Sequence, residues 1–191
     1  MKEAILEPIL RKKRISKIMP LIKNFRDCRL LDIGCGWNAR FLKSVEPYVS
    51  LGVGIDFKAP YINTKCLKSI KFKIEDSLPF KNNSFNIVTM LAVLEHLANP
   101  FAIVKEIDRI LCSGGYLILT VPSKISKPAL EFLAYKVKIV SSEEIKDHKR
   151  YYNYKELNRI FGDTHLTILE HHYFQLGMNN FCVLKKNEIE A

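Results

Sequence analysis

A short apolar run that ends in two closely spaced glycines constrains this chain more than any other feature. Residues 28–33 are mostly apolar and lead into Gly34, Cys35 and Gly36. This pattern predicts a buried strand that enters a tight turn. Because glycine lacks a Cβ, the backbone there can adopt positive φ and approach a ligand closely. A tight turn without a ligand is the alternative that this motif alone leaves open.

A helix is predicted over residues 38–46, directly after the turn. The first N–H groups of such a helix have no partner within the helix and would point into the crevice at the carboxyl end of the strand. Asp56 ends the second predicted strand, 20 residues beyond Gly36. A carboxylate at that position can accept hydrogen bonds from ribose hydroxyls. A helix N-cap or a surface acid is the alternative for Asp56.

Predicted strands and helices alternate over most of the chain. The strands are predicted at residues 28–33, 51–56, 70–74, 85–90 and 116–121. An amphipathic helix is predicted over 99–112, capped by the Ser-Gly-Gly sequence that follows it. This alternation predicts an α/β fold with a parallel sheet and helices on both faces.

The two ends of the chain and one internal segment depart from that alternation. Residues 4–24 predict one or two amphipathic helices broken near Pro8 and Pro20, and residues 123–150 predict a lid-like insertion beside the site. A helix over 154–161 and strands over 166–173 and 180–185 close the chain. We therefore expect one domain over 1–191, divided into N-terminal helices (1–27), a cofactor-binding core (28–122), the insertion (123–150) and a C-terminal helix and strand pair (151–191).

The charge balance is basic, with 30 Lys and Arg residues against 20 Asp and Glu residues and a net charge of +10. Such a surplus can serve an anionic partner such as nucleic acid. The lysines are spread over much of the chain, which favours an ordinary basic surface, although Arg11–Arg14 form a denser cluster. Nucleic acid is therefore a possible partner that the sequence does not favour.

Other composition features concern location and metal chemistry. No apolar run approaches the roughly 18 residues that cross a bilayer, and the first residues do not resemble a secretory signal. We expect a cytoplasmic protein without a transmembrane segment. The five cysteines form no C-x-x-C pair, so neither a zinc site nor a redox motif is indicated.

A series of motifs carries a resemblance to a known family. The segments in question are DIGCG at 32–36, GID at 54–56, LPF at 78–80, NSFN at 83–86, VLEHL at 93–97 and LCSGGYL at 111–117. Their order resembles that of the class I S-adenosylmethionine-dependent methyltransferases over residues 29–122. The resemblance implies an enzyme with a Rossmann-like, mostly parallel seven-stranded sheet, helices on both faces and an antiparallel C-terminal strand pair.

The resemblance also implies which residues contact the cofactor, S-adenosylmethionine. These are Asp32, Gly34, Cys35 and Gly36 beside the methionine part, Asp56 at the ribose, Phe57, Ile74, Glu75 and Asp76 around the adenine, and Met90 and Leu91 near the amino group and sulfonium. Asn38 stands where the family often has a third glycine. Because Asn tolerates the left-handed region, we expect the loop to be preserved.

Two further comparisons with the family concern a metal and a base. Glu95 and His96 resemble part of the metal-binding E-x-x-E-H motif of some methyltransferases, but Ala92 replaces its first Glu, so no metal is expected. Candidates for a general base are His96, His148 and Tyr151. A surface helix histidine, a loop histidine and a packing tyrosine are the alternatives for these three.

The predicted function is methyl transfer to a small molecule, at an oxygen of a sugar, a lipid or another metabolite. Residues 91–94 are not of the N-P-P-Y type, which argues against methylation of exocyclic base nitrogens. An RNA or protein methyltransferase and a non-catalytic module that binds S-adenosylmethionine remain alternatives. The sequence does not predict the oligomeric state.

Overall fold

The computed structural model describes residues 7–25, 27–126 and 150–188, with side chains from residue 12 onward. The strands are β1 (Arg29–Ile33), β2 (Leu51–Asp56), β3 (Leu67–Lys71), β4 (Phe85–Leu91), β5 (Leu111–Pro122), β6 (Leu166–Phe174) and β7 (Asn179–Lys186). The helices are α1 (Glu7–Lys23), α2 (Arg40–Val45), α3 (Pro100–Ile110) and α4 (Tyr154–Phe161). Short 3-10 helices cover Glu46–Tyr48 and Leu94–His96.

All seven strands form one sheet in the order β3-β2-β1-β4-β5-β7-β6. The first five in this order are parallel, and β7 is antiparallel to both of its neighbours. The predicted fold class, with its antiparallel C-terminal pair, is confirmed. Within the sheet, β2 and β3 lie on one side of β1, and β4 and the later strands lie on its other side. This change of direction opens a crevice at the carboxyl ends of β1 and β4, where ligands bind in open α/β sheets.

Apolar residues cover both faces of the sheet. One cluster packs the sheet against α3 and α4 and includes Leu31, Val88 and Ile107. The other packs it against α1 and α2 and includes Ile18 and Leu42. Because both faces are covered, the central strands β1 and β4 are mostly apolar, as is usual for buried parallel strands.

The N-terminal segment differs from the prediction. Residues Glu7–Lys23 form one continuous helix that contains Pro20, not a helix broken at the prolines. Pro8 is the second helical residue, where a backbone N–H has no partner in any case. Pro20 lies in the last turn, so it removes one helical hydrogen bond close to the point where the helix ends.

The third strand lies three residues closer to the N-terminus than predicted. The prediction covered residues 70–74, whereas β3 spans Leu67–Lys71. Its register with β2 pairs Gly52 with Leu67, which is 1% exposed, and Ile70 is 40% exposed. As an edge strand with one buried face, β3 is set by its pairing with β2, which a local apolar pattern does not reveal.

The start of β5 also differs from the prediction. The strand begins at Leu111, directly after α3, where a Ser-Gly-Gly cap and a later strand were predicted. Its register shifts relative to β4 after the Phe85–Leu111 pair, and Gly114 has φ +71°. The glycines therefore form a bulge within the strand, for which positive φ is needed.

The C-terminal elements agree closely with the prediction. Helix α4 has the predicted bounds, and β6 and β7 form the predicted antiparallel pair with Gly177 between them at φ +82°. Among the described helices, none has the length and apolar character needed to span a bilayer.

Candidate active site

The crevice contains a cavity of about 180 Å³. It lies at the carboxyl ends of β1 and β4, next to the start of α2. Its walls are formed by Arg14, Asp32, Gly34, Cys35, Gly36, Trp37, Asn38, Ala39, Arg40, Phe41 and Leu91. The glycine loop, the last residue of β4 and one arginine of α1 therefore meet around a single space.

The two glycines of the loop serve different purposes. Both have positive φ, +76° at Gly34 and +70° at Gly36. A Cβ at Gly34 would come within 2.3 Å of Val93 Cγ2, whereas a Cβ at Gly36 would meet nothing within 4 Å. Gly34 thus allows the segment after β4 to pack against the loop. Gly36 leaves open space that a ligand can occupy.

The third left-handed residue of this loop is Ala39, at φ +45°, immediately before α2. Asn38, which was expected to use its tolerance of that region, does not have positive φ. The loop is preserved, as expected, but the strained position is one residue further along the chain.

Asp32 lies almost fully buried at the floor of the cavity, 2% exposed. The Thr89 hydroxyl donates a hydrogen bond to its Oδ1 over 2.8 Å. Burial raises the pKa of Asp32 to about 7, opposed by the Thr89 hydrogen bond and assisted by the negative charge of Asp56. The carboxyl of Asp32 therefore titrates near neutral pH.

Asp56 connects the end of β2 to the glycine loop. Its Oδ2 accepts a hydrogen bond from the Gly36 N–H over 3.0 Å, and its Oδ1 accepts one from the Lys58 N–H over 2.7 Å. The N–H groups of Gly34 and Cys35 donate to the Ile55 carbonyl. Because each carboxylate oxygen has a second lone pair, Asp56 can hold the loop and still accept hydrogen bonds from a ligand.

The remaining residues of the predicted cofactor set lie around the cavity in different ways. Cys35 and Leu91 line it, and burial raises the pKa of the Cys35 thiol to about 12, so the thiol stays protonated at neutral pH. Met90 is 1% exposed and packs in the core, so only its backbone faces the carboxyl edge of the sheet. Phe57 is 65% exposed beside Asp56, with Lys58 Nζ 4.8 Å from its ring centre.

The predicted adenine turn follows β3 and does not line the cavity. Ile74 is half-buried there, whereas Glu75 and Asp76 are exposed. Lys73 pairs with Glu75 over 2.6 Å at the surface, and this lysine lowers the pKa of Glu75. Only residues near the methionine part of the predicted cofactor are thus gathered around the cavity itself.

Of the predicted bases, neither His96 nor Tyr151 lines the cavity. His96 ends the 3-10 helix after β4 and is half-buried. Tyr151 is half-buried three residues before α4. His148 lies outside the described residues, as does most of the predicted insertion.

Two residues of this region had no role assigned from the sequence. Arg14 lines the cavity from α1, although the sequence offered it only as part of a basic cluster. Glu95 is 1% exposed, and neither carboxylate oxygen has a hydrogen-bond partner within the described part of the chain. Burial raises the pKa of Glu95 to about 8, partly opposed by the Arg14 guanidinium. Its only sequence signal was the adjacent Glu-His pair.

Metal ligands are a separate question. Within residues 12–25, 27–126 and 150–188, no three His, Cys, Asp or Glu side chains come together as a metal site. The residues around the cavity instead suit an uncharged or cationic organic ligand, because Gly36 leaves room for it and Asp56 offers acceptor oxygens.

Comparison with known proteins identifies a family model and several relatives that this chain matches. Residues 31–119 match the family model described as a methyltransferase domain. An uncharacterised protein of Methanocaldococcus jannaschii is 31% identical over 122 residues, covering 60% of this chain and 49% of that protein. The ubiquinone/menaquinone biosynthesis C-methyltransferase of Neisseria meningitidis serogroup B is 30% identical over 142 residues, covering 69% of this chain and 57% of that protein. The chain thus spans about half the length of these curated relatives.

Solved structures agree on the fold. The complex between the Haloferax volcanii Trm112 methyltransferase activator and a methyltransferase contains a chain that matches with a TM-score of 0.72 at 16% identity. The match covers 98% of this chain and 96% of that one. The glycine loop and Asp56 both lie within residues 31–119, the part of the chain that matches the methyltransferase domain.

Proposed function

We propose that this chain transfers a methyl group from S-adenosylmethionine to a small-molecule acceptor that carries an ionisable hydroxyl. The observation that carries the proposal is the cavity at the ends of β1 and β4, lined by Asp32, the glycine loop and Leu91. When bound, S-adenosylmethionine supplies an electrophilic methyl group on a cationic sulfur. Positioning the acceptor in line with that methyl group contributes much of the rate.

The residues of the chain divide the work of holding the cofactor. Asp56 accepts hydrogen bonds from the ribose hydroxyls while it keeps the Gly36 N–H in place. Asp32 and the glycine loop form the wall for the methionine part, and Leu91 closes the cavity from β4. Phe57 and the turn at 74–76 lie towards the adenine, and the backbone of Met90 faces the amino group.

Two kinds of acceptor atom are consistent with this site. The first is the hydroxyl oxygen of a sugar, a lipid or another metabolite. The second is a ring carbon of a reduced quinone precursor, which the name of the Neisseria relative favours. An acceptor with a hydroxyl on a conjugated ring offers both kinds of atom, because loss of its proton places negative charge on the oxygen and on ring carbons.

An RNA or protein acceptor has weaker support. The net charge of +10 would favour it, but the lysines are spread over much of the chain rather than concentrated in one segment. A salt-dependent shift in RNA binding would be the sign of such an acceptor.

Calorimetric titration with S-adenosylhomocysteine tests the cofactor assignment. We expect binding in the micromolar range, and Asp56→Ala is expected to weaken it by about 1–3 kcal/mol, the scale of a lost hydrogen bond to a charged group. Asp163→Asn, which changes an exposed carboxylate outside the cavity, is a control with a much smaller expected effect. Equal affinity in wild-type protein and the Asp56 variant would remove the ribose assignment.

A second experiment tests the acceptor class. Purified protein is incubated with S-adenosylmethionine labelled in its methyl group and with separate pools of phenols, hydroquinones, sugars, lipids and RNA. We expect label in a hydroxyl-bearing small molecule, and mass spectrometry of the product identifies the methylated atom. Label recovered only in RNA or protein would contradict the proposed acceptor class.

A further inference from the structure

Glu95 is a buried carboxyl group to which no other described residue donates a hydrogen bond. It lies in the 3-10 helix after β4, is 1% exposed, and both of its oxygens lack a hydrogen bond from any other described residue. Leaving such a group unsatisfied costs about 1–3 kcal/mol or more. Since buried polar groups are normally hydrogen-bonded, an unpaired carboxyl group of this kind is a candidate for contact with a ligand.

Neighbours of Glu95 lie at the cofactor cavity, although Glu95 itself does not line it. Leu91, four residues earlier, lines the cavity, and Val93 packs against the Gly34 backbone of the loop. Arg14, which also lines the cavity, acts electrostatically on Glu95. The acid is therefore close to the point where the glycine loop and the end of β4 meet.

The opposite side of Glu95 is closed by the segment before α4. The Tyr152 hydroxyl donates to the Leu94 carbonyl over 3.3 Å, and Arg150 donates to the carbonyls of Leu97 and Ala98. Burial raises the pKa of Tyr152 to about 12, with Arg150 opposing the rise and Glu95 adding to it. Among the described residues, Arg14 and Tyr152 therefore interact electrostatically with this acid, Arg150 acts on Tyr152, and the tyrosine stays neutral.

We propose that Glu95 is the catalytic base of this methyltransferase, accepting a hydrogen bond and then the proton from the O–H group of the acceptor. The inference rests on the proposed function and assigns to Glu95 the role that the sequence suggested for His96, His148 or Tyr151. Of the candidates in the described residues, it alone combines full burial, a carboxylate without a hydrogen-bond partner and a place between the cavity and the α4 segment.

The step balances without another reactant. A lone pair of the acceptor forms the new bond to the methyl carbon while the sulfur–methyl bond breaks and its electron pair stays on sulfur. The acceptor proton moves to the Glu95 carboxylate, which becomes a neutral acid and later releases the proton to water. One positive charge on sulfur is thus replaced by one released proton.

A charge coupling makes the proposal testable without knowing the acceptor. In the empty site the Glu95 carboxyl is largely protonated at neutral pH, because burial raises its pKa to about 8. A cationic ligand beside it favours the carboxylate, so a proton leaves when the ligand binds. S-adenosylmethionine carries this cationic sulfur, whereas S-adenosylhomocysteine has a neutral sulfur.

The experiment measures proton release by calorimetry. Wild-type protein, Glu95→Gln and His96→Gln are titrated with both ligands at about pH 7 in buffers of different ionisation enthalpy. For wild-type protein we expect S-adenosylmethionine to release roughly half a proton per site more than S-adenosylhomocysteine. Because the ionisations of the ligands are the same for all three proteins, the comparison between proteins isolates the side chain.

The outcomes separate this inference from the proposed function. Loss of the extra proton release in Glu95→Gln, with its retention in His96→Gln, supports Glu95 as the base. An unchanged difference in Glu95→Gln, or its loss only in His96→Gln, overturns the inference while the proposed function stands. Binding of neither ligand to wild-type protein overturns both. If Glu95→Gln does not fold, Glu95→Asp takes its place, and it must keep part of the release because it keeps the carboxylate.

Discussion

At the scale of single residues, the site is defined by two buried carboxyl groups with different partners. Asp32 receives a hydrogen bond from Thr89, whereas the Glu95 carboxyl has no such bond among the described residues. Burial raises the pKa of both, to about 7 and about 8. Acids that titrate near neutral pH are typical of functional sites, because burial costs stability that only a ligand can offset.

The raised pKa of Glu95 predicts a pH-dependent stability. The folded protein keeps a proton on Glu95 up to about pH 8, whereas the unfolded chain loses it at the ordinary value of 4.5. The folded state therefore binds more protons in this window, and its stability falls as the pH rises from 4.5 to 8. Glu95→Gln removes this contribution, so we expect the variant to gain on the order of 2–4 kcal/mol relative to wild-type protein between pH 5 and pH 8.

Denaturant unfolding at both ends of that pH range measures this effect. The pH dependence of the unfolding free energy that remains in Glu95→Gln comes from other groups, Asp32 among them. The difference in this pH dependence between the two proteins is the contribution of Glu95. Parallel stability curves for the two proteins would show that Glu95 ionises normally in the folded state.

The two glycines of the loop predict opposite responses to alanine. Gly34→Ala is expected to destabilise the fold by about 2–4 kcal/mol, because its Cβ would strike Val93 at positive φ. Adding Val93→Ala should relieve the clash and regain the stability lost to it, but the cost of the backbone strain at residue 34 should remain. Gly36→Ala is expected to cost only about 1 kcal/mol in stability but to weaken binding of S-adenosylhomocysteine, since its Cβ enters open space.

Unfolding curves and calorimetry on the four proteins separate packing from binding. A Gly34→Ala variant as stable as wild-type protein, or a Gly36→Ala variant with unchanged affinity, would contradict the roles assigned to these two positions.

At the scale of elements, the C-terminal strand pair is connected to the core by a buried lysine. Lys186 at the end of β7 is 4% exposed, and its Nζ donates to the carbonyls of Asp108 and Leu111 over 2.6 and 2.9 Å. These carbonyls lie in the last turn of α3 and at the first residue of β5. The lysine therefore stabilises the sharp helix-to-strand connection that the sequence pattern did not predict.

Lys186→Met keeps the length of the side chain but removes its donors. We expect it to destabilise the protein by about 2–4 kcal/mol, because two carbonyls and the Asp108 carboxyl lose their charged partner. Lys185→Met on the same strand is the matched control and should change the unfolding free energy by less than about 0.5 kcal/mol. Similar melting curves for both variants would show that the Lys186 hydrogen bonds add little.

At the scale of the whole molecule, the change of direction between β1 and β4 decides where the site lies. Residues 18 or more positions apart, such as Arg14, Asp32, Asp56 and Glu95, approach one another only because β1 is central in the sheet and α1 packs near its carboxyl end.

Metal independence is a prediction for the whole molecule. A chelator is expected to leave both the melting temperature and the affinity for S-adenosylhomocysteine unchanged, because no three-ligand cluster exists in the part of the chain that the structure describes. Thermal scans and calorimetry with and without the chelator measure this. A loss that magnesium restores would reveal a metal site.

Local patterns were sufficient to predict much of this protein from its sequence. The strand leading into DIGCG, the acid at 56, the order of strands and helices, and the bounds of α4 follow from apolar periodicity and from glycine and capping residues nearby in the chain. These features depend on interactions within a few residues, so a reading along the chain can detect them.

The tertiary structure decided what depends on distant neighbours. The register of β3 is set by pairing with β2, the continuity of α1 across Pro20 by its packing on the sheet, and the environment of Glu95 by α1 and the segment before α4. A carboxyl group acquires a raised pKa only when several elements exclude water from it, and no pattern along the chain reports that burial. The sequence by itself therefore determined the fold and the cofactor loop, whereas the burial of Glu95 depended on which distant elements the folded chain packs around it.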